Sequence, residues 1–140
     1  MISLSIATEL KACGLVWEPS LHDFFAIPDS DLDNRIFVVS DMMIDFHQLF
    51  GRQIITFNGA VEWSLDNIMM ADAVWMPTES QLRELVQGRL LHESDPSIQL
   101  LAHGNKYHCK FTSGESTAIF EAADASDAYG MALLQFLQEQ

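Results

Sequence analysis

The N-terminal segment of the chain has apolar residues at the three- and four-residue spacing of an amphipathic helix. The positions that share this face are Ile2, Ile6, Leu10 and Cys13. Gly14 follows directly, and glycine ends helices well because it adopts the left-handed conformation without steric cost. The pattern therefore predicts a short first helix that ends at Gly14.

Two stretches rich in aromatic and β-branched residues follow and predict β-strands over 22–27 and 35–40. The second stretch has no polar alternation, which predicts a central strand covered on both faces. Residues 42–50, MMIDFHQLF, are compatible with a short helix or a loop, and IITF at 54–57 predicts one further strand.

The acidic segment between the first two strands resembles the opening of a calcium-binding loop, since Asp29, Asp31 and Asp33 stand at alternate positions. Such a loop needs glycine at its sixth position and a bidentate glutamate at its twelfth. This chain has Asn34 and Ser40 there. The ligand cage is incomplete, and the segment is predicted to be a solvated acidic turn.

Two helices are predicted in the middle of the chain. AVEWSLDNIMM (60–70) has apolar residues at helical spacing, and PTESQLRELVQGRLL supplies the next helix. In the second, Thr78 and Gln81 fit a capping box, in which each side chain satisfies a backbone N–H at the helix entrance. The apolar positions of the two helices are Val61, Leu65, Ile68 and Met69, then Leu82, Leu85, Val86 and Leu90.

Two glycine-containing turns predict a three-stranded antiparallel meander over residues 98–122. A two-residue turn at Gly104-Asn105 pairs 98 with 111, and one at Gly114-Glu115 pairs 111 with 118. Both turns gather apolar residues on one face without a change of register. These residues are Ile98, Leu100, Ala102, Tyr107, Cys109, Phe111, Ala118, Phe120 and Ala122.

A terminal helix is predicted after the meander, with Asp124 as N-cap and Asp127 as an acidic third position. Its apolar residues, predicted to lie on the meander, are Ala128, Ala132, Leu133 and Phe136. The elements together predict a single α+β domain over 1–140, in which one antiparallel sheet packs with about four helices as a single pair of layers. The predicted order is α-β-β-α-α-β-β-β-α, with one extra strand near residue 55.

The composition indicates one hydrophobic core and an acidic surface. A hydrophobic content of 49% in 140 residues suffices for one core. Seven basic and twenty acidic residues give 7 − 20 = −13, a charge that disfavours nucleic acid and anionic membranes and favours a basic protein or a cationic ligand. The first twenty residues lack the basic start of a secretory signal, and no stretch has the length to span a bilayer, so a cytoplasmic protein is predicted.

The residues that most often carry chemistry do not form a recognisable catalytic or metal motif. Cys13 and Cys109 are the only cysteines and form no C-x-x-C pair, so they are predicted to be buried reduced thiols. The predicted register puts His108 on the face opposite Cys109, which argues against a metal site with His103. HESDP has Pro96 where a zinc-protease helix has its second histidine. The glycine spacing matches no phosphate loop, and no cofactor is predicted.

His108 lies opposite Glu121 in the predicted meander, and two interpretations follow. The pair could act as a general base in a small hydrolase, or it could be a surface cross-strand pair. The second interpretation is favoured, because no nucleophile is placed beside the pair.

The middle of the chain contains the richest cluster of tryptophan and methionine, and it is the candidate binding surface. Trp63, Trp75 and Met76 would supply apolar anchors, and Asp66 and Asp72 an acidic rim. The alternative is that the large apolar side chains belong to the core.

FNGAVEWSLDNI, AVWMPTESQLRELV and the ending DAYGMALLQFL resemble a family of small bacterial proteins of unknown function, some members of which are labelled as linked to pilus assembly. The resemblance covers most of the chain from about Leu15. Its motifs are structural, so it implies a fold and no functional residues.

The sequence thus predicts a non-enzymatic cytoplasmic binding or regulatory module that engages a protein partner. One alternative is an acidic immunity-type inhibitor of a basic toxin, favoured by the charge of −13. The other is the small hydrolase that uses His108 with Glu121. Homo-oligomer formation is left open.

Overall fold

The computed structural model describes residues 1–28, 35–40, 44–49, 51–57 and 68–139, with the backbone alone at 44–49, 54–57 and 68–69. The fold is α+β. The elements in chain order are α1 (Leu4–Ala12), β1 (Phe24–Ala26), β2 (Ile36–Val38), β3 (Ile44–Leu49), β4 (Arg52–Phe57), β5 (Ile68–Met69), a 3-10 helix (Met70–Asp72), β6 (Val74–Trp75), α2 (Glu79–Leu90), β7 (Ser97–His103), β8 (Lys106–Ser113), β9 (Ser116–Ala122) and α3 (Ala125–Gln138).

The chain divides into two compact units. Unit 1 comprises residues 1–16 and 77–140, and unit 2 comprises residues 17–76. Unit 1 contains the three α-helices and the sheet β7-β8-β9, whereas unit 2 contains the sheets β2-β1-β6 and β3-β4-β5. All strand pairs are antiparallel. That one domain spans the whole chain stays a prediction.

The helices of unit 1 begin where the sequence places their caps. The Thr78 side chain accepts from the Gln81 N–H at 3.3 Å, and the Gln81 side chain accepts from the Thr78 N–H at 2.9 Å, so the capping box is confirmed. Asp124 caps α3 by accepting from the Ser126 N–H at 2.8 Å. Gly14 follows α1 with φ +100°, as the left-handed helix end requires.

Unit 1 is built around α3, which packs on β8 and β9 and also contacts both α1 and α2. The Phe111 ring lies 4.7 Å from the Phe136 ring and 5.8 Å from the Phe120 ring, centroid to centroid, so the predicted apolar face of the meander does meet the terminal helix. A Cβ at Gly130 would lie 2.8 Å from Ile6 Cγ2. The close approach of α1 and α3 therefore depends on glycine at this position.

Unit 2 has a small core around β1, the middle strand of its sheet. Phe25 is fully buried, and its ring lies 5.3 Å from Trp17 and 5.4 Å from Phe37. Asp23, only 4% exposed, accepts from Trp17 Nε1 at 2.9 Å and from the Ser20 N–H at 3.0 Å, both at Oδ2. A buried carboxylate is tolerated here because these donors replace the water it has lost.

The prediction of a central strand over 35–40 is wrong. In the described part of unit 2, β2 is at the edge of its sheet, and Ile36 and Val38 are 45% and 42% exposed. Continuous apolar sequence does not reveal how many neighbours a strand has, and the neighbouring β1 holds the central position instead.

Two further predictions in unit 2 need correction. The segment interpreted as a helix or loop contains β3, which pairs with β4 from Ile44↔Phe57 to Leu49↔Arg52, whereas the strand over 54–57 is confirmed. Ile68 and Met69, predicted to be helical, form β5 beside β4. Residues 60–67 of that predicted helix lie outside the described ranges. Three α-helices are therefore described, and the predicted total of about four is not confirmed.

Candidate functional site

The meander has the predicted register because both turns have glycine at the first central position. Gly104 has φ +63° and Gly114 has φ +59°, the left-handed values that a type II′ hairpin turn requires there. The observed pairs include Leu100↔Cys109 and Cys109↔Phe120, as the sequence predicts. Cys109 is fully buried on the face that meets α3.

The opposite side of the meander, here called the outer face, consists of the alternate residues that point away from Cys109. They are Ser97, Gln99, Leu101 and His103 of β7, Lys106, His108, Lys110 and Thr112 of β8, and Thr117, Ile119 and Glu121 of β9. Glu121 is the single acidic residue in the three strands, in a chain that has twenty acidic residues. The face is therefore locally basic on an acidic protein.

Three side chains form an ionic cluster on the outer face. Lys106 Nζ donates to Glu121 Oε1 at 2.6 Å, and His108 Nε2 lies 2.8 Å from Glu121 Oε2. The hydrogen bond from Lys106, followed by the one from His108, lowers the pKa of the Glu121 carboxyl, and the same contact raises the pKa of Lys106. The carboxylate is thus kept ionised and is shared between the Lys106 ammonium and the His108 imidazole.

Two large aliphatic side chains on the same face are left in solvent. Leu101 and Ile119 are each 60% exposed. A row here means residues paired directly across neighbouring strands. Leu101 is in the same row as His108, and Ile119 is in the same row as Lys110. The outer face thus presents one exposed aliphatic side chain in each of two adjacent rows, and Lys110 lies beside Ile119 in the second.

The histidines and Cys109 of the meander point in the directions that decide whether they could share a metal ion. His108 faces outward and Cys109 inward, as predicted, while the His103 and His108 ring centroids are 6.5 Å apart. In the ranges that the structure describes, no three His, Cys, Asp or Glu side chains converge as metal ligands. Pro96 lies in the connection between α2 and β7, so HESDP is not helical.

The candidate tryptophan and methionine surface is only partly visible. Trp63 and Asp66 lie outside the described ranges, as do Asp29, Asp31 and Asp33 of the acidic segment. Asp72 is exposed, whereas Met76 is 3% exposed and is covered rather than available as an anchor. Trp75 is half-buried and pairs with Phe25, and its buried Nε1–H has no hydrogen-bond partner among the residues described.

Both cysteines are free thiols, and the two differ in environment. Cys13 is half-buried, whereas desolvation at the inner face raises the pKa of Cys109 to about 11. A thiol with that pKa is protonated at neutral pH and is a poor nucleophile or metal ligand. Cys109 is therefore a core residue.

The pair His108–Glu121 is predicted from the sequence, whereas the rest of the outer face is not. Lys106 joins the pair because it is two residues from His108 on the same side of β8. Leu101 and Ile119 follow from the same predicted register. Successive residues of a strand point to opposite faces, so the predicted register already placed both exposed aliphatic residues on the side away from the apolar face.

No family model, curated protein or solved structure matches this chain. The resemblance to small bacterial proteins of unknown function therefore stays a prediction. None of the helices in the described ranges has the length and apolar character to cross a membrane.

Proposed function

We propose that this chain is a non-enzymatic cytoplasmic module that binds a protein partner through the outer face of its meander. The observation that carries the proposal is the exposure of Leu101 and Ile119, each 60%, on one side of a single sheet. Exposed aliphatic residues that stand alone are ordinary, but these two lie on the same face of β7 and β9, on either side of β8, where one partner can contact both. The free thiols of Cys13 and Cys109 support a reducing compartment.

The register of the meander supports this proposal over the hydrolase alternative. The neighbours of His108 along its own strand on the outer face are Lys106 and Lys110, and neither is a hydroxyl or thiol nucleophile. The next hydroxyl on that side of β8 is Thr112, four residues away and hence about 13 Å along the strand. A general base needs its partner within hydrogen-bonding distance, so the pair has no nucleophile to activate within the meander.

An immunity-type inhibitor of a basic toxin is the second candidate, and the charge of −13 favours it. Such a partner would bind acidic surface elsewhere on the chain. It is not favoured on the outer face, because Lys106 and Lys110 would repel it there.

The proposal is tested by site-specific photo-crosslinking of the full chain in the cells that produce it. A benzophenone side chain is placed at position 101 or 119, and the matched control carries it at Leu91, which is 74% exposed but follows α2 rather than the meander. We expect both outer-face positions to trap the same protein and position 91 to trap none of it. Equal adducts at all three positions, or none at 101 and 119, would refute the proposed binding surface.

A further inference from the structure

We propose that the partner of the outer face is an extended segment of another protein that carries acidic and apolar side chains in alternation. This inference depends on the proposed function and specifies the chemistry of the ligand. The observation behind it is a separation of charge: two of the three lysines in the chain, Lys106 and Lys110, lie on this face, where Glu121 is the one acidic residue.

The positive charge that a ligand can meet on the outer face is that of Lys110. Lys106 and His108 both contact Glu121, and the carboxylate offsets the charge of Lys106. Lys110 is exposed, and within the described part of the chain it has no ion-pair partner. His103 is also exposed, beside His108. An incoming carboxylate therefore meets Lys110 before any competing acidic group of the meander.

The spacing of the rows indicates an extended ligand with mixed side chains. Lys110 of β8 lies between the two exposed aliphatic residues: Ile119 of β9 is paired directly with it, and Leu101 of β7 lies one row away on the other side. An apolar, a cationic and a second apolar site therefore follow one another across the three strands. In an extended segment, every second residue points to the same side, about 6.6 Å apart. A segment that presents leucine and glutamate in turn at those positions would satisfy both kinds of site.

Other occupants fit the observations less well. Nucleic acid would bring one phosphate charge about every 1.7 Å to a chain of net charge −13, and Glu121 would face that backbone. A second copy of the chain would bring the same net charge of −13 to the contact. A short acidic segment places its charge close to Lys110. Its repulsion by acidic groups more than about 8 Å away is largely screened at physiological salt.

The test uses a short fluorescent peptide with leucine and glutamate in turn at every second position, titrated with the full chain and followed by anisotropy. Two comparison peptides replace glutamate by lysine or leucine by serine. We expect the first peptide to bind and both replacements to weaken binding by about tenfold or more. Equal binding of the lysine peptide would overturn the acidic assignment.

Matched charge variants separate local contact from net charge. Lys110→Glu and Arg35→Glu make the same change in net charge at exposed positions, but only Lys110 lies on the outer face. We expect Lys110→Glu to weaken binding about tenfold and Arg35→Glu to alter it less than about twofold. Glu121→Gln, which frees Lys106 and His108, should strengthen binding. Equal loss in the two charge-reversal variants would show that net charge alone acts and would refute the proposal.

The remaining occupants are distinguished by two further measurements. Self-association in sedimentation that Lys110→Glu abolishes and Arg35→Glu preserves would assign the face to a second copy. Binding to anionic lipid vesicles that is lost in Lys110→Glu and kept in Arg35→Glu would assign it to a membrane. Either result overturns the acidic-segment proposal. If crosslinks at 101 and 119 persist while no acidic peptide binds, the ligand chemistry is wrong and the binding function stands. If the crosslinks are absent as well, both proposals fail.

Discussion

At the residue scale, burial of the Cys109 thiol makes the stability of the folded chain depend on pH in the alkaline range. Its pKa is raised from 9.0 to about 11 by desolvation, so the folded chain retains a proton that the unfolded chain releases in that interval. A raised pKa contributes stability that is intact below about pH 9 and is lost as the pH rises to about 11. The burial of Tyr129 raises its pKa as well and acts in the same direction at higher pH.

We therefore predict that the free energy of unfolding falls by about 2 to 3 kcal/mol between about pH 9 and about pH 11 through Cys109. Urea denaturation at several pH values measures this fall, with Cys109→Ala as the control. The variant should be less stable near pH 8 but should lose less stability on alkaline titration. Parallel pH profiles for the two proteins would contradict the prediction.

Asp23 is the corresponding buried polar residue of unit 2. One carboxylate oxygen accepts from both Trp17 and Ser20, so Asp23→Ala leaves two donors without this acceptor. We predict a loss of about 2 to 4 kcal/mol in the free energy of unfolding for Asp23→Ala, and a smaller loss for Asp23→Asn, whose amide oxygen can replace the acceptor. Urea denaturation followed by tryptophan fluorescence measures both. Equal losses would show that charge, rather than the paired acceptor, is what the site requires.

At the scale of the elements, two glycines inside helices provide opposite expectations for the same substitution. A Cβ at Gly88 in α2 meets nothing within 4 Å, whereas a Cβ at Gly130 in α3 meets Ile6 Cγ2 at 2.8 Å. Gly88→Ala should raise the free energy of unfolding by about 0.5 to 1 kcal/mol through helix propensity. Gly130→Ala should lower it by about 1 to 3 kcal/mol, because overpacking of α1 against α3 outweighs that gain.

Thermal and urea denaturation of the two alanine variants provide the comparison, since each serves as the control of the other. Stabilisation in both variants would mean that α1 can move away from α3 at little cost. That result would contradict the tight contact at Gly130.

The elements that the sequence predicts well are those whose ends are determined by local chemistry. Thr78 with Gln81 determines the start of α2, and the turn at Gly114 determines the register of β8 with β9, so the pair His108–Glu121 could be predicted from the sequence alone. For β3, the alternation of apolar and polar residues in IDFH (44–47) was an available signal that the helical interpretation overlooked.

Other features depend on contacts between distant residues and could not be predicted from sequence. β5 and β6 are two residues long, too short for any period to show, and they exist because β4 and β1 provide partners. The burial of Met76 likewise depends on tertiary packing, so sequence could not distinguish a core methionine from a binding anchor.

At the scale of the whole molecule, unit 1 combines the first sixteen residues with residues 77–140. α1 packs on α3, and Ile2, Ala7 and Leu10, which lie in or beside α1, are buried. We predict that deletion of residues 1–16 exposes the apolar side of α3, increases binding of a hydrophobic dye and lowers the thermal unfolding midpoint. Addition of the separate peptide 1–16 should partly reverse both effects, and a truncated chain with unchanged dye binding would contradict the role of α1.

The contact between α1 and α3 also has a consequence for synthesis on the ribosome. Translation releases α1 early, but the helix that it packs on begins at Ala125 and emerges only after more than one hundred further residues, about 6 to 23 s later at 5–20 residues per second. During that interval the apolar side of α1 lacks its contact with α3. Until α3 leaves the exit tunnel and packs on α1, the nascent chain thus carries an exposed amphipathic segment of the kind to which chaperones bind.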